Sequence, residues 1–378
     1  MKNVLYVLTE NLSLGVMKSQ VLSHVNLLEK KRIAKFDILF CYWSESEKKK
    51  TIAEMKKKEN KNLRIHFLKI IRPVFFLDLL NAYILKNKVN NIGSFDYIHA
   101  RTDYCVKILN KIDKKKTDIL WDCRGDSSAE LYHTPTKKFN FFKKRILEKR
   151  FYDAGKIASK IIFVSNFLIE KFKNVNKVFP DKKIFLIPSL TSSSFFFFKK
   201  EIRQKMRRYL KIKIDTKVFI YVGGMQNYQK FPETIEFFND IKKNNKNTSL
   251  IVLTNNVDKA KFLLKNEDHI LVKNVEFKDV NKYLNASDFG LLIREANNAN
   301  HAGSPTKFAE YALSGLQIIT SRSVSDYFNY EREIDNIHDY KKFILKKNTL
   351  YDRDKVANFY KLKLSRESFI KTFKNLYE

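Results

Sequence analysis

Between Asp288 and Thr320 the chain reads DFGLLIREANNANHAGSPTKFAEYALSGLQIIT. Thr306, Lys307 and Glu310 fall within this stretch, the glutamate three residues after the lysine and four after the threonine. Side chains three and four apart share a helix face. A helix beginning near Pro305 would therefore group a hydroxyl, an ammonium and a carboxylate. The ammonium can neutralise a phosphate, and a carboxylate on the exposed face can accept two hydrogen bonds from a sugar diol. The same spacing also describes an ordinary surface ion pair, and spacing alone does not choose between the two.

The surroundings give the group a position. Asp288–Ile293 reads as a strand and Arg294–Gly303 as a polar, Asn-rich loop. Ser304 is the expected N-cap, with Pro305 at the first helical position. Gly315 is placed to end the helix before a strand at Leu316–Thr320. Phe308, Ala309, Ala312 and Leu313 form the opposite, core-facing side. In open α/β sheets ligands bind beyond the carboxyl ends of the strands, where helix N-termini present amides and a positive dipole end. A phosphate is the ligand such a start favours.

Other polar groups stand just past apolar runs. In Tyr221–Phe238, YVGGMQNYQKFPETIEFF, Gly223 and Gly224 follow a strand and Lys230 precedes a helix. Two glycines there equally describe a tight turn. FDYIHARTD places His99 and Arg101 at a strand end, and ILWDCRGDSSAE places Asp122 and Arg124 at the next. His99 equally suits a satisfied strand-end histidine. Gly15 lies in the polar loop after the first strand. The histidines have no metal-ligand spacing, so no metal is expected.

Short apolar runs alternating with longer amphipathic ones imply an α/β fold with parallel sheets. The expected strands of the first half are Asn3–Thr9, Phe36–Tyr42, Leu63–Leu68, Phe95–His99, Asp118–Asp122 and Ile161–Ser165. Helices Met17–Lys30, Phe76–Lys86 and Lys138–Ala158 separate them. After the turn-rich Pro188–Ser194 the pattern restarts with strands Lys217–Val222, Ser249–Thr254, His269–Val272, Phe289–Ile293 and Leu316–Thr320. Its helices lie near Pro232–Lys243, Lys259–Lys265 and Pro305–Ser314. Two Rossmann-like domains facing a central cleft follow, over residues 1–190 and 191–360. The tail is expected to be helical from about Asp339. Residues 361–378, with Phe369, Phe373 and Leu376 on one stripe, are expected to pack back on the body.

Seventy-three Lys and Arg against 41 Asp and Glu give a formal charge of +32. Such a field suits phosphorylated substrates, nucleic acid or an anionic membrane surface, although a general bias towards Lys and Asn also produces it. No basic run interleaved with aromatics and no zinc site is present, so nucleic acid is not the expected partner. Phe195–Phe198 followed by Lys199–Lys200, and the apolar stretch around Phe75–Leu79, are candidates for touching a membrane; both equally suit a Phe-rich core. No run approaches the ~20 apolar residues that cross a bilayer, and MKNVLYVLTENLSLG reads as a strand rather than a signal peptide. Three cysteines without metal or redox spacing suggest reduced thiols and a cytoplasmic location.

Arg294, Ser304, Pro305, Lys307, Glu310, Tyr311 and Gly315 together resemble the donor-binding motif of family 4 retaining glycosyltransferases, in the branch serving bacterial polysaccharide and lipopolysaccharide synthesis. The resemblance implies a GT-B fold. It implies that Glu310 holds the nucleotide ribose, and that Ser304–Thr306 hold the diphosphate or sugar. It assigns Gly223, Gly224 and Lys230 to the diphosphate, and the segments around His99–Arg101 and Asp122–Arg124 to the acceptor side and the transferred sugar. The residues it would put at the chemistry are Asp122, Arg124, Lys230 and Arg294, with no cofactor beyond a UDP- or GDP-linked donor substrate. Acceptors would be glycans or polyprenyl-diphosphate-linked glycans at the inner face of the membrane. The family's frequent glutamate eight residues before the ribose glutamate is Ala302 here, and Glu295 is the nearby carboxylate. A sugar epimerase of the same architecture is the alternative.

Overall fold

The computed structural model describes residues 1–10, 16–46, 49, 63–72, 77–113, 115–131, 140–265, 267, 269–345 and 351–378. The chain divides into two compact units. The first comprises Met1–Pro188, Ala302–Ser304 and Phe369–Glu378; the second comprises Ser189–His301 and Pro305–Ser368.

In the first unit the elements run β1 (Lys2–Leu8), a π-helical turn (Met17–Leu22) continuing into α1 (Ser23–Lys30), β2 (Ala34–Tyr42), β3 (Arg64–Lys69), α2 (Asp78–Ile92), β4 (Tyr97–Arg101), α3 (Asp103–Ile108), β5 (Asp118–Cys123), α4 (Ser127–Glu130), α5 (Asn140–Ile157), β6 (Lys160–Phe163), α6 (Asn166–Lys173) and β7 (Ile184–Leu186). The seven strands are parallel in the order β3-β2-β1-β4-β5-β6-β7. Both faces are covered, which is why the strands read as nearly unbroken apolar runs. Leu5, Val7, Ile98, Ala100, Ile119 and Trp121 pack with Ala82, Leu85, Phe151 and Ala154 of α2 and α5. Tyr6 and His99, side by side in the β1–β4 register, face the other way.

The second unit contains α7 (Lys200–Tyr209), β8 (Lys217–Val222), α8 (Phe231–Asn244), β9 (Thr248–Leu253), α9 (Val257–Leu264), β10 (Ile270–Lys273), α10 (Val280–Ala286), β11 (Phe289–Leu292), α11 (Asn298–Ala302), α12 (Thr306–Leu313), β12 (Gln317–Thr320), β13 (Ile337–Asp339) and α13 (Arg353–Leu364). Its six strands are also parallel, ordered β10-β9-β8-β11-β12-β13. Each sheet therefore reverses its winding once, between β1 and β4 in the first and between β8 and β11 in the second. The crevice past the carboxyl ends of such a strand pair is where open α/β sheets bind ligands.

The last helix, α14 (Ile370–Leu376), belongs to the first unit. Phe373, Leu376 and Tyr377 are buried, and the Lys160 ammonium donates to the Leu376 carbonyl at 2.8 Å. A cation at a helix C-terminus is the favourable pairing.

Three sequence expectations need correction. Edge strands β7 and β13, three residues each, went unread because so short a run carries no period. The tail is not helical from Asp339: that residue ends β13, and the next helix among the described residues is α13, capped by Asp352 accepting from the Lys355 amide. Phe195–Phe198 is a surface run only in part, with Phe195 exposed. Phe196 is buried in the second core, and the Arg353 guanidinium lies 4.4 Å from the Phe198 ring centre. Asn285 straps the segment down, donating to the Phe197 carbonyl and accepting from the Lys199 amide. Part of the Phe75–Leu79 stretch lies outside the described residues, as does Gly15.

Candidate functional site

At the reversal of the second sheet, β8 runs into Gly223–Gly224 and β11 runs into Ile293–Glu295. Tyr228 ties the two. Its carbonyl accepts from the Glu295 amide at 3.3 Å, and the Arg294 guanidinium stands 5.3 Å from its ring centre. Arg294 is held from the far side by two serines past β12. The Ser321 hydroxyl accepts from the Arg294 amide at 2.9 Å, and both Ser321 and Ser323 donate to its carbonyl, at 2.7 and 2.9 Å. Glu295 is anchored through its carbonyl, which accepts from the Asn300 side chain at 2.9 Å. Lys230 begins α8 in the left-handed conformation, φ 49°, with its ammonium 2.7 Å from Glu233. A non-glycine residue held there is the kind of strain that clusters at functional loops.

Helix α12 is seated rigidly. Phe308 stacks on Tyr327 with ring centres 3.7 Å apart, and the Tyr327 hydroxyl donates to the Pro305 carbonyl at 3.0 Å. The Tyr311 ring lies over Gly290, where an added methyl group would run into it. Gly315, at φ +67°, closes the helix: its amide bonds to Ala312 and the Leu316 amide to Tyr311, the paired bonds of a Schellman motif.

Two details differ from the sequence expectation. The N-cap is Pro305, extended at ψ 119°, and no side chain caps the helix; Ser304 is one residue too early and is grouped with the first unit. Glu310 is not on an exposed face: it is 1% exposed, with the Lys307 ammonium 2.5 Å away. Burial raises its carboxyl above the ordinary value, partly offset by that ammonium. An eight-residue helix packed on both sides leaves no fully solvated stripe, so helical spacing misjudged its burial. Ala302 is fully buried, and its carbonyl accepts from the Ser165 hydroxyl at 2.9 Å.

In the first unit the four sequence candidates converge. Asp122 Oδ2 accepts from Arg124 Nε at 3.0 Å and from the Tyr6 hydroxyl at 3.2 Å, while Arg124 Nε also stands 2.8 Å from Oδ1 and His99 Nε2 stands 3.3 Å from Oδ2. Arg101 NH1 is 3.9 Å away; its Nε pairs with Glu10 and its NH2 donates to Gln20 at 2.8 Å. Burial alone would raise Asp122, but the Arg124 charge, the His99 hydrogen bond and Arg101 outweigh it and hold the carboxyl far below its usual range. Burial lowers His99 despite Asp122, so the imidazole is neutral at pH 7. Its Nδ1 lies 2.7 Å from the Tyr377 hydroxyl. Asp122 has no exposed surface, and of the four Arg124 reaches solvent most.

Sequence reading missed Glu10, Tyr228, Ser321, Ser323 and Tyr377. The first four are polar residues within a few positions of a strand end, a signal that was there to read. Tyr377 had none, standing 278 residues from His99.

Among the described residues no group of His, Cys, Asp or Glu side chains is placed to hold a metal ion. None of their helices is long and apolar enough to cross a membrane. Cys41, Cys105 and Cys123 are buried and unbridged.

Solved structures with the same arrangement extend over the whole chain. Sucrose-phosphate synthase from Thermosynechococcus elongatus superimposes with a TM-score of 0.65 at 13% identity, over 100% of this chain and 93% of that one. Anabaena HepE in complex with UDP-glucose matches at 0.61 and 12% identity, over 100% and 93%. This chain folds as a GT-B protein. The GT-B likeness also takes in a Listeria monocytogenes chain assigned as a UDP-N-acetylglucosamine 2-epimerase, at 0.55 and 10% identity over 100% and 90%. No family model matches the sequence, and no curated protein matches it.

Proposed function

We propose that the chain is a glycosyltransferase that moves a sugar from a nucleotide-sugar donor to a glycan or lipid-linked glycan. The observation that carries this is the convergence at one sheet reversal of Arg294, the Gly223–Gly224 turn and the uncapped start of α12 with its Lys307–Glu310 pair. Anabaena HepE, of the same fold, is recorded with UDP-glucose, which supports a nucleotide-sugar ligand. In this reading Glu310 accepts from the ribose diol. Lys307, Arg294, Lys230 and the α12 amides offset the charge that builds on the departing diphosphate, a preorganised electrostatic role that asks for no metal. Glu295 stands beside Arg294 as the carboxylate nearest the transferred sugar. Asp122 fixes Arg124, and His99 and Arg101 support the acceptor side.

The motif match adds a finer proposal. The enzyme belongs with family 4 transferases, retains anomeric configuration by front-face attack with the leaving phosphate taking the acceptor proton, and works in bacterial surface polysaccharide assembly. Three buried thiols suit the reducing cytoplasm. The Listeria likeness keeps an epimerase as the second reading.

The test is a thermal-shift panel of UDP-, GDP- and other nucleotide sugars, followed by transfer of a labelled sugar from the best ligand. Glu310→Ala should abolish that ligand's stabilisation; unchanged stabilisation would put the donor elsewhere. Conversion of a free nucleotide sugar without acceptor would establish the epimerase instead.

A further inference from the structure

We infer that the N-terminal half of α5 is a docking element for an anionic lipid surface. Only Phe151, Ala154 and Gly155 of this eighteen-residue helix are buried, all in its second half. The Arg150 guanidinium pairs with Asp103, the first residue of α3, at 2.9 Å. Helices in a parallel sheet run against the strands they connect, so α5 enters from beyond the carboxyl edge. The ten residues before Arg150 make about 15 Å of helix on that side, and α4 packs against α5.

Two adjacent aromatics sit at the tip, Phe141 62% and Phe142 63% exposed. Lys143, Lys144 and Arg145 follow at once, with Lys149 one turn on and Glu148 the one acid in the arm. Among the described residues Lys143 and Arg145 make no salt bridge, and the Arg145 guanidinium lies 4.4 Å from the Phe141 ring centre. Exposed rings backed by basic residues are the composition of a helix that seats in a headgroup layer and is drawn there by anionic lipid.

A second spot argues for lipid over nucleic acid. Helix α2 packs on the same sheet face as α5 and starts at the same edge, and its first turns expose Leu79 (60%), Leu80 (48%) and Tyr83 (53%). Leucines do not stack bases, whereas a hydrocarbon boundary accepts both the leucines and the rings. The arm's excess of positive charge selects an anionic leaflet. This replaces Phe195–Phe198 as the membrane contact and stands independently of the transferase reading.

The full chain should pellet with vesicles of equal parts phosphatidylcholine and phosphatidylglycerol, not with phosphatidylcholine alone, and salt should release it. The double variant Phe141→Ser/Phe142→Ser should partition at least roughly tenfold less, with an unchanged melting temperature. Phe195→Ser, an exposed ring elsewhere, should bind as wild type. The proposal fails if the wild type stays in the supernatant at low salt, or if the double variant pellets equally. It fails too if the same variant abolishes self-association or single-stranded RNA binding while vesicle binding persists.

Discussion

The Val222 amide donates to the Tyr311 hydroxyl at 2.9 Å, tying the second turn of α12 to the last residue of β8. Both groups are buried, and burial pushes the phenol far above its ordinary value, so it stays neutral. Tyr311→Phe keeps the ring and strands the amide without this acceptor. Leaving a buried donor unmet costs about 1–3 kcal/mol, or about 2–4 °C for each kcal/mol in a unit of this size. Thermal and urea unfolding should both show the loss. An unchanged midpoint would mean that water or a shifted backbone satisfies Val222.

Gly290 underlies the same ring. Gly290→Ala should destabilise by about 1–3 kcal/mol through overpacking, and should cost measurably less in a Tyr311→Ala background. The double-mutant cycle should give a coupling of about 0.5–3 kcal/mol. Additive effects would mean that the ring and the strand yield independently.

The Lys307–Glu310 pair separates two ligand roles. If Lys307 meets phosphate and Glu310 meets ribose, Lys307→Ala should weaken a nucleoside diphosphate more than the monophosphate, and Glu310→Gln should weaken both alike. A hydrogen bond to a charged group contributes about 1.5–3 kcal/mol, so each loss should be roughly tenfold to a hundredfold by calorimetric titration. Equal effects of Lys307→Ala on both nucleotides would remove its phosphate role.

The fold was legible because eleven of the strands are apolar runs broken by polar turns. What escaped depends on packing. Glu310 has the sequence neighbours of a surface residue, yet tight packing of α12 encloses it. Pro305 could serve as N-cap or first helical residue, and its ψ decides the matter. Phe195–Phe198 is four like residues that the core treats differently, enclosing Phe196 and leaving Phe195 half exposed. The Tyr377–His99 contact joins the chain's end to its fourth strand, and no local pattern encodes such a distance.

Asp122 supplies the pH-dependent test. Its folded carboxyl titrates far below the unfolded value of about 3.9, so its charged form favours the folded state. That contribution is fully present above the unfolded value and is lost as pH falls towards the folded one. Removing one partner of a buried ion pair costs about 3–5 kcal/mol, so Asp122→Asn should lower neutral-pH stability by that order. The gap between wild type and variant should hold level from about pH 8 to pH 5. Below about pH 4 it should narrow by up to about 1.4 kcal/mol per pH unit. Urea midpoints of both proteins across that range measure it. A gap as wide at about pH 3 as at pH 7 would mean that Asp122 is not held as a low-titrating carboxylate by Arg124 and His99, and that the cluster stabilises the unit by packing alone.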